Sequence, residues 1–412
     1  MAERKGRALT RRAFVGAAGI ASACALGALV GCGSPADGEA GDGEVGNLDA
    51  SDTPFDERAQ LRERAREAVA ALSLEQKAAQ LFIVRPEALA PDDFGTQAAE
   101  ATRAAMEARP VGGVVYFGPN LLEPTQATNM LAATQRFSQE TCGLSALLCV
   151  DEEGGTVARI GRNDGFDAPD VGDMAAVGQT GDPAAAKQAA LTIGGYLAPL
   201  GFNVDFAPSA DVADNPESDV MALRSFGDDP QLVATMVRAQ VEGFGEAGIC
   251  CAAKHFPGIG AAEGDSHQIS IYSHKTMDEL AADELVPFQA AVDAGVPMVM
   301  VGHLSTPEAT GDDVPASLSP AMVSGVLRGQ MGFDGVVVTD SLGMGAVNER
   351  YDAGEVAVLA LEAGCDIALM PADFDAAYQG VLDAVAAGRL TEARITESAE
   401  RIALLKLTLG NR

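Results

Sequence analysis

Eight short apolar runs, each followed by a longer stretch of helical period, restrict this chain to a small set of folds. They read QLFIV at 80–84, GGVVYF at 112–117, ALLCV at 146–150, NVDFA at 203–207, ICCAA at 249–253, VPMVMVG at 296–302, GVVVT at 335–339 and DIALM at 366–370. Between them lie segments such as PAAAKQAALTIGGYLAPLG and PQLVATMVRAQVEGFGEAG, with apolar residues three and four apart, Pro near the start and Gly near the end, as amphipathic helices prefer. Eight strands alternating with helices predict an α/β fold, a (β/α)8 TIM barrel forming a single domain over residues 57–412. An open doubly wound sheet is the alternative.

In a barrel the reactive side chains sit at the C-terminal ends of the strands and on the loops that follow, which gives every polar candidate a test of position. Asp151 passes it, ending ALLCV and opening DEEGG, where a Gly-Gly pair lets a ligand approach the backbone. Lys254 and His255 close the fifth strand; adjacent strand residues point to opposite sides, so at least one must meet the barrel mouth. The long Gly-rich loop after them carries Asp265, Ser266 and His267, and Asp340 ends the seventh strand. Arg224 lies in the loop after strand four. Asp205 and Asp211, in and just after that strand, read as satisfied buried acids that support their neighbours, and His303 at the end of strand six reads as a satisfied buried histidine.

The first residues are not part of this barrel. Arg4, Lys5, Arg7, Arg11 and Arg12 precede the uncharged run Ala13–Val30, the layout of an export signal; a run so rich in Ala and Gly is a poor permanent membrane span. TRRAFVG resembles a twin-arginine signal, and LVGC, ending at Cys32, resembles a lipoprotein lipobox. Residues 1–32 are thus expected to direct export, with Cys32 carrying a lipid that anchors the chain to the outer face of the cytoplasmic membrane. Residues 33–56, rich in Gly, Ala, Asp and Glu, read as a solvated acidic tether. The formal charge of −31 argues against nucleic acid as a partner. Cys142, Cys149, Cys250, Cys251 and Cys365 are scattered through apolar segments and read as buried thiols, which suits a domain matured in a reducing cytoplasm. No CxxC or HExxH spacing offers a metal site, and no cofactor is expected.

Taken in order, DEEGG, NVDFAP, RSFG, KHFPG with its following DSH, and TDSLGM resemble the barrel of glycoside hydrolase family 3, within its branch of bacterial β-N-acetylglucosaminidases. The likeness runs from about residue 62 to 408; the second domain of many relatives is expected to be absent. It implies that Asp340 is the nucleophile of a retaining glycosidase and that His267, paired with Asp265, is the acid/base. It also implies that Asp151, Arg224, Lys254 and His255 hold the sugar, and that the partner is a glycan with terminal N-acetylglucosamine, from peptidoglycan fragments or other sources, acted on by a monomer. Three positions depart from the usual pattern: Ile259 replaces a frequent His, Thr156 a frequent Arg and Glu152 a frequent Gln, and of these Ile259 and Thr156 border the site loops, which bears on the fine substrate preference. Two alternatives follow the same residues, a phosphorylase of the same fold and a non-catalytic sugar-binding lipoprotein. The intact set of Asp340, His267 and Asp265 argues against the second.

Overall fold

Each apolar run becomes a strand whose residues are almost all buried, and the strands pair side by side in chain order. In the computed structural model, which describes residues 54–91, 95–215, 220–262 and 269–410, they are β1 Phe82–Val84, β2 Gly113–Tyr116, β3 Leu147–Val150, β4 Val204–Asp205, β5 Cys250–Phe256, β6 Met298–Val301, β7 Val336–Thr339 and β8 Ala368–Leu369. All neighbours are parallel, in the order β8-β1-β2-β3-β4-β5-β6-β7. A parallel bridge between Val338 and Ile367 joins the two ends of that order, and the Thr339 amide donates to the Ile367 carbonyl at 3.0 Å. The sheet therefore closes into the expected (β/α)8 barrel, and the open-sheet alternative is set aside.

The helices begin and end where local chemistry dictates. α1 is Pro54–Ala70, α2 Pro124–Cys142, α3 Pro183–Leu200, α4 Pro230–Glu246, α5 Leu285–Asp293 and α6 Glu392–Gly410. Glu123, Asp182 and Asp229 stand just before α2, α3 and α4, accept hydrogen bonds from amides of the first turn, and are followed by Pro at the first helical position. Gly143 and Gly201 end α2 and α3 in the left-handed conformation, at φ 73° and 104°. α1 starts inside the last residues of the stretch read as a tether and packs against α6. Residues 1–53, with Cys32 and the segments read as an export signal and a lipobox, lie outside the described residues, which fall in the unit Ser51–Arg412. Among the described residues no helix is long and apolar enough to cross a membrane.

The N-terminal end of the barrel is a structural end. Asp366, just before β8, accepts from Arg328 at 2.6 Å, Ser398 at 2.6 Å, Arg401 at 3.2 Å and the Val337 amide at 3.0 Å. Cys149 on β3, Cys250 and Cys251 on β5, and Cys365 before β8 are buried, with Cys142 half-buried. Burial pushes the Cys149 thiol far up, and that of Cys365 to about 12.

Candidate active site

At the C-terminal end of the barrel a cavity of about 980 Å³ opens, lined among others by Asp151, Glu153, Arg224, Lys254, His255 and Asp340. These come from the ends of β3, β5 and β7 and from the loop after β4, so the positional test picks out one cluster.

The DEEGG segment sends its acids in alternate directions. Asp151 and Glu153 line the cavity, whereas Glu152 is buried beneath the loop, accepting from the amides of Arg159, Ile160 and Gly161 at 2.5, 2.9 and 2.7 Å and from the Tyr196 hydroxyl at 2.8 Å. Glu152 is thus a strut that folds residues 152–161 back on themselves. The turn that follows needs glycine: Gly155 has φ 55°, and a Cβ there would overlap Asp173.

Glu153 is the hub, and the sequence reading missed it. The Arg224 guanidinium forks onto it at 2.8 and 2.7 Å, and the Lys254 ammonium lies 2.7 Å from the same carboxylate and 2.6 Å from Asp151. Burial alone would raise the Glu153 carboxyl, but Lys254 and Arg224 outweigh it and hold the group well below its usual value. Burial likewise opposes the charge on Lys254 and Arg224, and their acidic neighbours restore it, so both stay cationic.

Both Lys254 and His255 line the cavity, where strict alternation predicted that they would part. The reason lies in β5: its register against β6 shifts between Ala253 and Phe256, which breaks the period of two. The Lys254–His255 peptide is cis. His255 Nδ1 is 2.8 Å from Asp211 and Nε2 is 3.3 Å from Arg224. Contacts at both ring nitrogens thus fix the orientation of the His255 imidazole. Asp211 is buried and also accepts from the Ile259 amide at 2.8 Å and the Ser209 hydroxyl at 3.1 Å, the satisfied supporting acid expected of it. Asp205 differs from that expectation. One of its oxygens accepts from the Glu152 amide at 2.9 Å, the other has no partner, and burial lifts its carboxyl well above the usual value.

Asp340 follows β7, with its amide bonded to the Val301 carbonyl at 2.8 Å and its carboxylate accepting from the Ser341 amide at 2.7 Å. Burial would raise this carboxyl, but His255, His303 and the Ser341 amide together hold it below its ordinary value, so it stays ionised. His303 is the satisfied buried histidine expected, bonded to the Ser317 hydroxyl at 2.7 Å and to the Ser341 carbonyl at 2.9 Å, and it steadies the backbone beside Asp340.

Elsewhere the cavity wall holds Arg85, Phe117 and Arg159, the guanidinium carbons lying 5.2 and 5.7 Å from the Phe117 ring centre. Ile259 and Thr156 do not line the cavity: Ile259 packs with Met221, Ala262, Ile271 and Leu304, and Thr156 is exposed. Asp265 and His267 lie outside the described residues. Among the described residues one carboxylate cluster has metal-ligand spacing, Asp214 with Asp283 and Glu284, and the Lys275 ammonium already occupies it.

The chain resembles known proteins over most of its length. The family model described as the glycosyl hydrolase family 3 N terminal domain matches residues 73–405. Beta-hexosaminidase A of Pseudoalteromonas piscicida is 33% identical over 73% of this chain and 54% of its own length, so the chain spans about half of that relative. Beta-hexosaminidase LpqI of Mycobacterium tuberculosis is 38% identical over 64% of this chain and 68% of its own length. Among solved structures, a glycoside hydrolase family 3 beta-N-acetylglucosaminidase from Paenibacillus superposes with a TM-score of 0.77 at 38% identity, covering 82% of this chain and 63% of that one.

Proposed function

The chain belongs to glycoside hydrolase family 3, and from that membership we propose that it is a retaining β-N-acetylglucosaminidase that removes terminal β-linked N-acetylglucosamine. The observation that carries the reading is an ionised carboxylate, Asp340, set at the barrel mouth in the same cavity as a fixed array of charged hydrogen-bonding groups. Relatives named beta-hexosaminidase support the sugar.

In this mechanism Asp340 attacks the anomeric carbon as the glycosidic bond breaks, and the leaving oxygen takes a proton from His267, whose imidazolium Asp265 stabilises. A covalent glycosyl ester on Asp340 results. His267, now neutral, takes a proton from water as that water attacks the same carbon and frees Asp340, so the product keeps the anomeric configuration of the substrate. Asp151, Lys254, Arg224 and His255 bind the hydroxyls and the acetamide. Glu153 acts through two of them, fixing Lys254 and Arg224 by charge. The Arg85 and Arg159 guanidinium groups around Phe117 supply positive charge that suits the carboxylate-bearing amino sugars of peptidoglycan fragments.

An assay of the purified protein on an aryl β-N-acetylglucosaminide, with and without inorganic phosphate, tests the reading. Release of N-acetylglucosamine with retained configuration, independent of phosphate, is expected. A sugar 1-phosphate as the main product would make it a phosphorylase, and tight sugar binding without turnover would make it a binding protein.

The reading places the enzyme on the outer face of the cytoplasmic membrane, held through Cys32 beyond an acidic tether. Cys32→Ala is expected to move the activity from the membrane to the soluble fraction with kcat unchanged, because a lipid chain is the attachment. Retention of this variant on membranes washed with high salt would overturn the anchor.

A further inference from the structure

Asp205 stands on β4 beside the end of β3, paired with Val150, and the Phe206 amide that follows it donates to the Val150 carbonyl at 2.9 Å. Past this bond the next segment takes a different acceptor: the Glu152 amide donates to the Asp205 side chain at 2.9 Å. The residues on either side of that amide are the two acids of the cavity, Asp151 and Glu153, which share the Lys254 ammonium at 2.6 and 2.7 Å. The Glu152 carboxylate meanwhile gathers the amides of Arg159, Ile160 and Gly161, and Arg159 returns to the cavity wall. One side-chain oxygen on β4 thus holds the backbone at the point from which these groups diverge.

The surroundings of Asp205 do not suit a charged group. It is fully buried, its second oxygen meets no donor, and among the described residues it forms no ion pair. The titratable groups around it are Cys149 on β3, Asp151 and Glu152 after that strand, Tyr196 on α3 and Lys254 on β5. Lys254 is the cation of that set, and Asp151 and Glu153 already share it. A further carboxylate there would have neither solvent nor a partner of its own, the setting in which a carboxyl keeps its proton.

Resting on the reading of Asp151 and Lys254 as sugar ligands, we infer that Asp205 is a positioning residue that acts as a neutral carboxyl. It accepts the Glu152 amide and so directs Asp151 and Glu153 onto Lys254, without adding a charge that would compete for that ammonium. The groups it places bind the sugar, so its loss falls on affinity more than on the chemical step.

The test compares the full-length wild type with Asp205→Asn and Asp205→Ala. It reads kcat and KM on a nitrophenyl β-N-acetylglucosaminide, the inhibition constant of free N-acetylglucosamine, and melting temperatures at pH 4 and pH 7. Asp205→Ala removes the acceptor and is expected to raise KM and the inhibition constant about 10- to 100-fold, the cost of misplacing binding groups, with a smaller fall in kcat. Asp205→Asn keeps an uncharged acceptor and should restore most of that affinity. The sign of the pH effect follows from the raised carboxyl: the unfolded chain ionises near the ordinary value of 3.8 while the folded one stays protonated, so wild-type stability declines as pH rises above 3.8. An asparagine has no such decline, and the melting temperature of Asp205→Asn relative to wild type should climb by several degrees from pH 4 to pH 7. An offset that stays constant or falls over that range, or an asparagine as damaging as alanine, overturns the neutral carboxyl. Unchanged KM and inhibition constant in Asp205→Ala overturn the positioning role. Should Asp205→Ala not fold, Asp205→Asn decides by its affinity and its melting offset. If the wild type itself does not turn over the glycoside, the proposed function falls instead, and sugar binding and melting still judge Asp205.

Discussion

Asp340→Ala is expected to lower kcat by roughly 10⁴- to 10⁶-fold on every β-N-acetylglucosaminide, the scale on which covalent catalysts lose rate when their nucleophile is removed. β7 is held between β6 and β8, and the Asp340 amide and carboxylate are both fixed by backbone bonds at its end. A nucleophile has to be ionised, and the surrounding histidines and the Ser341 amide hold this carboxyl below its ordinary value in spite of burial. The acidic limb of the pH profile for kcat/KM should therefore lie below the ordinary aspartate range or belong to another group. In the wild type, a slow fluorinated substrate should leave a glycosyl ester on the peptide containing Asp340. A label on any other peptide, or a product of inverted configuration, removes the assignment.

Glu153→Gln is expected to destabilise the protein by about 3–5 kcal/mol at neutral pH, the cost of breaking a buried ion pair by removing one partner. It should also lower kcat/KM steeply. Two cations, Arg224 and Lys254, are neutralised by this buried carboxylate, and a glutamine of the same shape leaves them facing each other with less compensation. The sign of the pH effect follows from the depressed pKa. The stability from Glu153 is complete above its ordinary value of 4.5 and disappears as pH falls from there toward its lower folded value. Urea unfolding at pH 7 and at pH 3 reads this directly: the gap between wild type and variant should narrow in acid. A gap of the same size at both values, or none at pH 7, would mean that the carboxylate carries no such charge.

The eight strands were legible because barrel strands are buried on both faces and so appear as unbroken apolar runs. Their lengths were not legible: β4 and β8 keep only two paired residues each, since pairing depends on neighbours that the run itself does not name. Asp151 and Asp340 could be picked out because strand-end acids stand at fixed places relative to such runs. Glu153 was missed although a period of two from Asp151 points to it. In DEE the two glutamates look alike, and only the turn at Gly154 and Gly155 makes one a strut and the other a salt-bridge hub. The carboxylate cluster around Lys275 leaves no local pattern, because its ammonium and the Asp214 carboxylate belong to residues 61 apart in the chain.

The buried thiols have a use outside catalysis. Their raised pKa values and burial make Cys149 and Cys365 inert toward alkylating reagents while the barrel is shut, so chemical labelling there records an opening event. Cys149 sits on β3, Cys250 and Cys251 on β5, and Cys365 at the entrance to β8, which distributes these sentinels around the ring. Mass spectrometry after timed exposure to such a reagent thus shows which stave of the barrel parts first, without a single introduced reporter.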